Sequence, residues 1–145
     1  MQGILGILKR ADKSIKLVDD FITDETLDFL IFAGIKAEVK IYSRNRPMIS
    51  NMKNYRRRKA FSRGINIFVT NNFSDRYIIV DDSFLYILSA PLAKITTRGF
   101  SCIRIFDYSE VQTILFKMKI SERDSPRKIY GNAYECGIRR YQVKI

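Results

Sequence analysis

The sequence predicts an α/β fold, a mixed β-sheet flanked by helices, and three observations predict it. Helix and strand signals alternate as far as residue 70. Two strand-like runs then follow each other across a tight turn near Ser83, the order of a hairpin rather than of another crossover. The chain has 145 residues, 46% of them hydrophobic. That length suits one domain and buries roughly two-thirds of the surface of the unfolded chain.

The elements follow in order. Residues 3–13 place Ile4, Leu5, Leu8 and Ala11 on one face of a helix. "SIKLVDD" reads as a short strand ended by its acids. In "TDETLDFLIFAG", Thr23 or Asp24 can cap the first N–H groups, and the early acids suit the helix dipole. Leu27, Leu30 and Ile31 form its expected buried stripe, and Gly34 ends it. "AEVKIYS" alternates as a strand. Pro47 suits the first turn of a further helix, expected to run to about Ser62 with Met48, Ile49, Met52 and Tyr55 on its apolar side. "INIFVT", "RYIIVDD", "FLYILSA" and "GFSCIRIF" read as strands, and "SEVQTILFKMK" as a closing helix capped by Ser109. The division expected is an α/β domain over 1–120 and a polar, basic extension over 121–145.

Charge is the outlying property. The net charge is +11, which favours polyanionic partners. It is unevenly spread: residues 31–64 carry ten bases and one acid, and residues 111–145 carry eight bases and three acids. No acid lies between Glu38 and Asp75. A solvated helix face usually mixes both signs, so this one-sign block points to phosphate contacts. Lys53, Arg56, Arg57, Arg58, Lys59 and Arg63 are its candidate ligands. Arg123, Arg127, Lys128, Arg139, Arg140 and Lys144 could add to them, with Tyr130, Tyr134 and Tyr141 interleaved for stacking or for docking on the core. No zinc-finger spacing or helix-turn-helix is visible, so the expected contact is with the backbone, at low sequence specificity.

Cys102 and Cys136 make neither a disulfide framework nor a metal set, and read as free thiols of a reducing compartment. "GILGILKR" is too short, and too soon interrupted by charge, for a signal peptide or a membrane span. A cytoplasmic protein without a membrane partner is expected.

The stretch "SDRYIIVDD" carries the most specific signal: Ser74, a spacer, Arg76, four residues, Asp81. With its continuation to "GFSCIRI", it resembles the motif region of the phospholipase D-like superfamily. The likeness is greatest to small bacterial and phage-type single-motif domains whose motif runs His-Asp-Arg-Phe-x-Ile-x-Asp. The upstream "ADKSIKLVDDFITDETLDFL" and "AEVKIYS" are also similar to the start of those domains, so the resemblance covers most of residues 9–118.

The resemblance implies a phosphodiesterase fold. In it a histidine attacks phosphorus, a partner's histidine acts as general acid, the basic residue holds phosphate oxygens and the aspartate orients a histidine. Carried over, Ser74 takes the nucleophile position, Arg76 the phosphate clamp and Asp81 the orienting acid. The chain has no histidine. A hydroxyl is a poor nucleophile without an adjacent base. Where the family places a Gly-x-Ser turn, "ILSAPLAK" has Ser89 and Pro91.

The expectation is a catalytically inactive phospholipase D-like domain that binds nucleic acid through phosphate contacts, with no cofactor. Each retained residue also has a local reading: Asp81 and Asp82 as turn residues, Arg76 as an ion-pair partner of Asp75 or Asp81, Ser74 as a loop serine. The alternative is a dimeric regulatory or scaffold subunit, since family members pair through their sheets or active-site faces. A third reading is an enzyme using Ser74, or a metal at Asp75, Asp81 and Asp82. Those acids alternate between strand faces and make an unpersuasive metal set.

Overall fold

A computed structural model describes residues 2–96, 99–124 and 130–131. Among these residues seven strands form one mixed sheet: β1 (Ser14–Val18), β2 (Glu38–Ser43), β3 (Ile65–Val69), β4 (Arg76–Val80), β5 (Phe84–Leu88), β6 (Cys102–Ile105) and the two-residue β7 (Tyr130–Gly131). Their spatial order is β6-β5-β4-β1-β2-β3-β7. The β1–β2 and β2–β3 pairs are parallel. The β1–β4, β4–β5, β5–β6 and β3–β7 pairs are antiparallel. The predicted α/β class and the hairpin are therefore present.

Helices cover both faces. α1 (Gln2–Lys9), α2 (Asp24–Ala33) and the short α3 (Met52–Arg56) lie on one side, and α4 (Tyr108–Asp124) on the other. Alternation along the strands explains the division. Ile15, Leu17, Val39, Ile41, Ile65 and Ile67 face the larger core with Leu8, Leu27 and Leu30. Val18, Tyr42, Phe68 and Ile79 face the smaller one with Val111, Ile114 and Met118 of α4. Polar contacts also hold α4 down: the Tyr42 hydroxyl donates to Glu122, and Lys40 reaches the same carboxylate at 3.3 Å.

Local signals set most boundaries. At the start of α2 the Thr26 hydroxyl accepts from the Thr23 N–H at 3.1 Å. At its end Gly34 adopts φ 69° and closes the last turn onto the Ile31 carbonyl. Leu27 and Leu30 are buried as expected, while Ile31 is half-buried and Ala33 completes the stripe.

The long helix expected from Pro47 to Ser62 does not form. Met48 donates its N–H to the Ile22 carbonyl at 2.8 Å and bridges Thr23, and Ser50 is bound to Asp24, so this stretch is stitched alongside the start of α2. Met48 is consequently exposed. Asn51 then caps a five-residue helix through its side chain. That helix stops before Arg58, whose backbone is extended, and a separate 3-10 turn follows at Lys59–Phe61. At α4 the cap is Asp107 rather than Ser109: its carboxylate accepts from the Ser109 and Glu110 N–H groups. α4 also runs past residue 120 to Asp124. No described helix is long and apolar enough to cross a membrane.

The β4–β5 turn is built on two residues with positive φ, Asp81 (54°) and Asp82 (55°), a region Asp tolerates better than most residues. The Asp81 carboxylate accepts from the N–H groups of Asp12 (3.1 Å), Lys13 (2.7 Å) and Ser14 (3.1 Å). Partial burial opposes its ionisation, but these donors outweigh that and hold its carboxyl below the usual range. Replacing Asp81 with Ala should cost about 2 kcal/mol in urea unfolding at pH 7, the scale of lost charge-assisted bonds. Asp81→Asn should cost less, since Asn keeps an acceptor and tolerates the same φ. Because the native carboxyl is depressed, its contribution is present above the unfolded value, about 3.8, and is lost as pH falls through the folded one. The gap between wild type and Asp81→Asn should therefore narrow in acid; a constant gap would show that the charge is not the cause.

Candidate functional site

The carboxyl ends of the parallel strands and the start of β4 meet in a small cleft of about 50 Å³. This is where open α/β sheets usually place ligands. Its polar lining is Asp19, Asp20, Arg44, Thr70, Ser74, Asp75 and Arg76, with the Tyr42 and Phe73 rings behind. β1 brings in Asp19 and Asp20, β2 delivers Arg44, and the antiparallel pairing of β4 with β1 sets Arg76 beside the two acids.

Arg76 is the β4 base expected to clamp phosphate, and it is already engaged. Its Nε lies 3.1 Å from Asp20 and 4.0 Å from Asp19. Its partners are thus not the Asp75 or Asp81 that its place in the sequence suggests. Asp19 is fully buried. Its oxygens accept from the N–H of Leu92 at 2.8 Å and of Phe21 at 3.0 Å. Burial pushes its carboxyl up to about 6, against the pull of those two donors and of Arg76. Burial, then the Glu122 carboxylate, hold the Tyr42 phenol well above the ordinary range.

Ser74 is exposed at the rim of the cleft. The ionisable groups lining the cleft with it are carboxyls, guanidiniums and the Tyr42 phenol, and the chain has no histidine. Ser89 sits at the same end of the sheet but does not line the cleft. Its hydroxyl accepts from the Ser101 N–H at 2.7 Å and joins β5 to the approach of β6. Asp81 lies at the far end of β4, roughly 17 Å from Arg76 at strand rise. It holds the α1–β1 loop and orients nothing at Ser74. Asp75, Asp81 and Asp82 do not converge, and no metal-binding cluster occurs among the described residues.

The basic segment lies elsewhere. Lys36, Arg58, Lys59 and Arg63 line a groove of about 510 Å³, with Ile31, Gly34 and Ile35 at the end of α2. Lys36 precedes β2 and Arg63 precedes β3, so the groove is at the amino ends of the parallel strands, opposite the cleft. No acid is among its lining residues. Arg63 also donates to the Asp12 carbonyl at 2.6 Å. Lys53 and Arg57 are exposed outside the groove, and Arg56 is half-buried. The expected set is therefore divided: Arg58, Lys59 and Arg63 come together, while Arg76 is at the other end of the sheet. Arg127, Lys128, Tyr134, Arg139, Arg140, Tyr141 and Lys144 lie outside the described residues.

Asp19, Asp20, Arg44 and Lys36 have no motif to mark them. "VDD" reads only as the end of a strand. The useful signal for Asp19, Asp20 and Arg44 is positional, because each lies within two residues of the carboxyl end of a parallel strand.

The fold has known counterparts. Nuc from Salmonella typhimurium, a phospholipase D family member, superposes with a TM-score of 0.57 at 18% identity over 88% of each chain. NucT from Helicobacter pylori superposes at 0.56 and 13% identity, over 84% of this chain and 86% of its own. TrmBL2, an archaeal chromatin protein, aligns over 84% of this chain and 47% of its own at a TM-score of 0.46 and 20% identity, below the level at which a shared fold follows. No family model matches the chain, and no curated protein matches it. The fold is phospholipase D-like, as the resemblance implied.

The raised Asp19 carboxyl gives a signed prediction. A group raised in the folded state adds stability below its unfolded value, about 3.8, and that contribution is lost as pH rises through about 6. Over this window it amounts to up to about 3 kcal/mol. Subtracting the unfolding free energy of Asp19→Asn from that of the wild type should expose this fall between pH 4 and 6. In Arg76→Gln, carbon NMR of the Asp19 carboxyl should report titration at still higher pH. An Asp19 carboxyl titrating near 4 would refute the assignment.

Proposed function

We propose that this chain is a catalytically silent phospholipase D-like domain that holds nucleic acid by its phosphate backbone. The observation that carries this reading is the acid-free groove of Lys36, Arg58, Lys59 and Arg63. Four bases on one concave surface give up counterions on meeting a polyphosphate, which drives sequence-independent binding. Lys53 and Arg57, exposed nearby in the chain, extend the contact.

The chemistry of the cleft supports its silence. The fold's reaction needs a nucleophile that can become phosphorylated, and the corresponding position is Ser74 in a chain with no histidine. Arg76, the residue left to grip phosphate, is paired with Asp20. A phosphodiester entering the cleft would also meet Asp19, Asp20 and Asp75. The retained motif then serves the fold, and the binding function moves to the opposite end of the sheet.

Fluorescence anisotropy of a short labelled duplex across a salt series tests the binding. Affinity should fall with a log–log slope of about −3 to −4, the value for roughly four neutralised phosphates. Arg58→Glu with Lys59→Glu should weaken binding by about tenfold or more, whereas Arg76→Gln should leave it unchanged. Absence of binding at low salt, together with a dimer that persists at high salt, would instead make the protein a scaffold subunit. A generic phosphodiester such as bis-p-nitrophenyl phosphate should not turn over. Turnover abolished by Ser74→Ala would overturn the silence of the cleft.

A further inference from the structure

A second groove of about 320 Å³ opens between α1 and the outer edge of the sheet. Gly3, Gly6, Ile7 and Arg10 form one wall, and Tyr86, Arg104 and Phe106 the other. The register of β5 and β6 sets Tyr86 directly opposite Arg104. Continued outward, the same alternation brings Phe84 and Phe106 to that face. The Arg104 guanidinium lies among these rings, 4.4 Å from the Phe106 centroid, 4.7 Å from Phe84 and 6.0 Å from Tyr86. Its Nε is buried without a hydrogen-bond partner, and no described carboxylate pairs with it. Phe106 is 81% exposed.

The α1 wall is built to leave room. A Cβ at Gly3 would meet nothing within 4 Å, and one at Gly6 would press on Arg10 Nη1 at 3.3 Å. The bare Gly6 thus lets the Arg10 guanidinium fold back along the helix beside the groove. Two cations, an exposed ring and no acid make a surface for something both flat and anionic. A volume near the lower limit of ligand pockets suits one base with its sugar and phosphate better than a duplex. Aromatic rings and guanidinium planes are what unpaired bases stack on.

We propose that this groove is a stacking subsite for an unpaired base of a single-stranded nucleic acid, with Phe106 as the stacking face, Arg104 as the cationic plane behind it and Arg10 on the flanking phosphate. It rests on the backbone-binding reading above and extends it. The α1–β1 loop, held by Arg63 from the first groove, follows directly on Arg10 of the second, so one strand can engage both.

Anisotropy with a labelled oligothymidylate of about twelve nucleotides, beside a duplex of equal length, separates the two readings. Phe106→Ala should weaken the single strand by about tenfold and leave the duplex unchanged, while Phe106→Trp should restore single-strand binding. The side chain's exposure keeps both variants folded. Arg58→Glu with Lys59→Glu should weaken both ligands. If Phe106→Ala leaves the single strand unaffected, or weakens single strand and duplex alike, the stacking subsite is overturned and backbone binding stands. If neither ligand binds the wild type, both fall. Displacement of the oligothymidylate by poly-glutamate at equal charge concentration would reduce the groove to a general polyanion surface and overturn base recognition.

Discussion

The seam between β1 and β4 is the constraint on which the rest of the structure depends. It joins a parallel half, β1-β2-β3, to an antiparallel half, β4-β5-β6, and carboxylates pin it at both ends. At one end Asp81 gathers three backbone N–H groups of the α1–β1 loop. At the other, Asp19 and Asp20 take Arg76, and Asp19 also receives the N–H of Leu92 from beyond β5. Each pin closes a contact between segments more than fifty residues apart, where no local hydrogen bond could do so. Loss of either leaves buried or aligned donors without acceptors, which costs more than the bond itself contributes.

That arrangement gives two residues of the motif a place in the fold that does not depend on chemistry at position 74. Arg76 and Asp81 look in sequence like a phosphate clamp and an orienting acid. In the fold each has structural work that does not need a histidine at position 74. A basic residue at the first position of β4 balances a buried carboxylate, and an aspartate at the β4–β5 turn supplies both an unusual φ and three acceptor contacts. The charge that would meet a polyanion is then set by other residues, in the crossover from β2 to β3 and at the end of α2.

Much of the fold was legible because period and punctuation agreed. Strand alternation, Gly34 after α2 and the Asp-Asp-Ser turn all act locally, so the sequence shows them directly. The helix expected over 47–62 failed for a long-range reason: Met48 and Ser50 are bound to the start of α2, and nothing in their neighbourhood announces it. At α4 the cap is Asp107, two residues before Ser109, so the helix starts earlier and Ser109 itself donates its N–H to that carboxylate. At the site, the basic run was visible as composition, but not that it divides, with Arg58, Lys59 and Arg63 converging on Lys36. Asp19 was invisible as anything but a strand end, since its burial depends on the Leu92 turn arriving from 73 residues away.

The break between α3 and the turn at Lys59–Phe61 has a consequence for proteolysis. Arg57 and Arg58 are exposed just where the backbone leaves the helix for an extended conformation, the state in which a chain fits a protease cleft. A trypsin-like enzyme should therefore nick this crossover ahead of the many lysines and arginines fixed in strands and helices. The nicked halves would stay joined through the β2–β3 ladder, so the protein would be cut without coming apart. A polyphosphate lying over Arg58 would hide the same bond, and its occupancy would be recorded as an uncut chain.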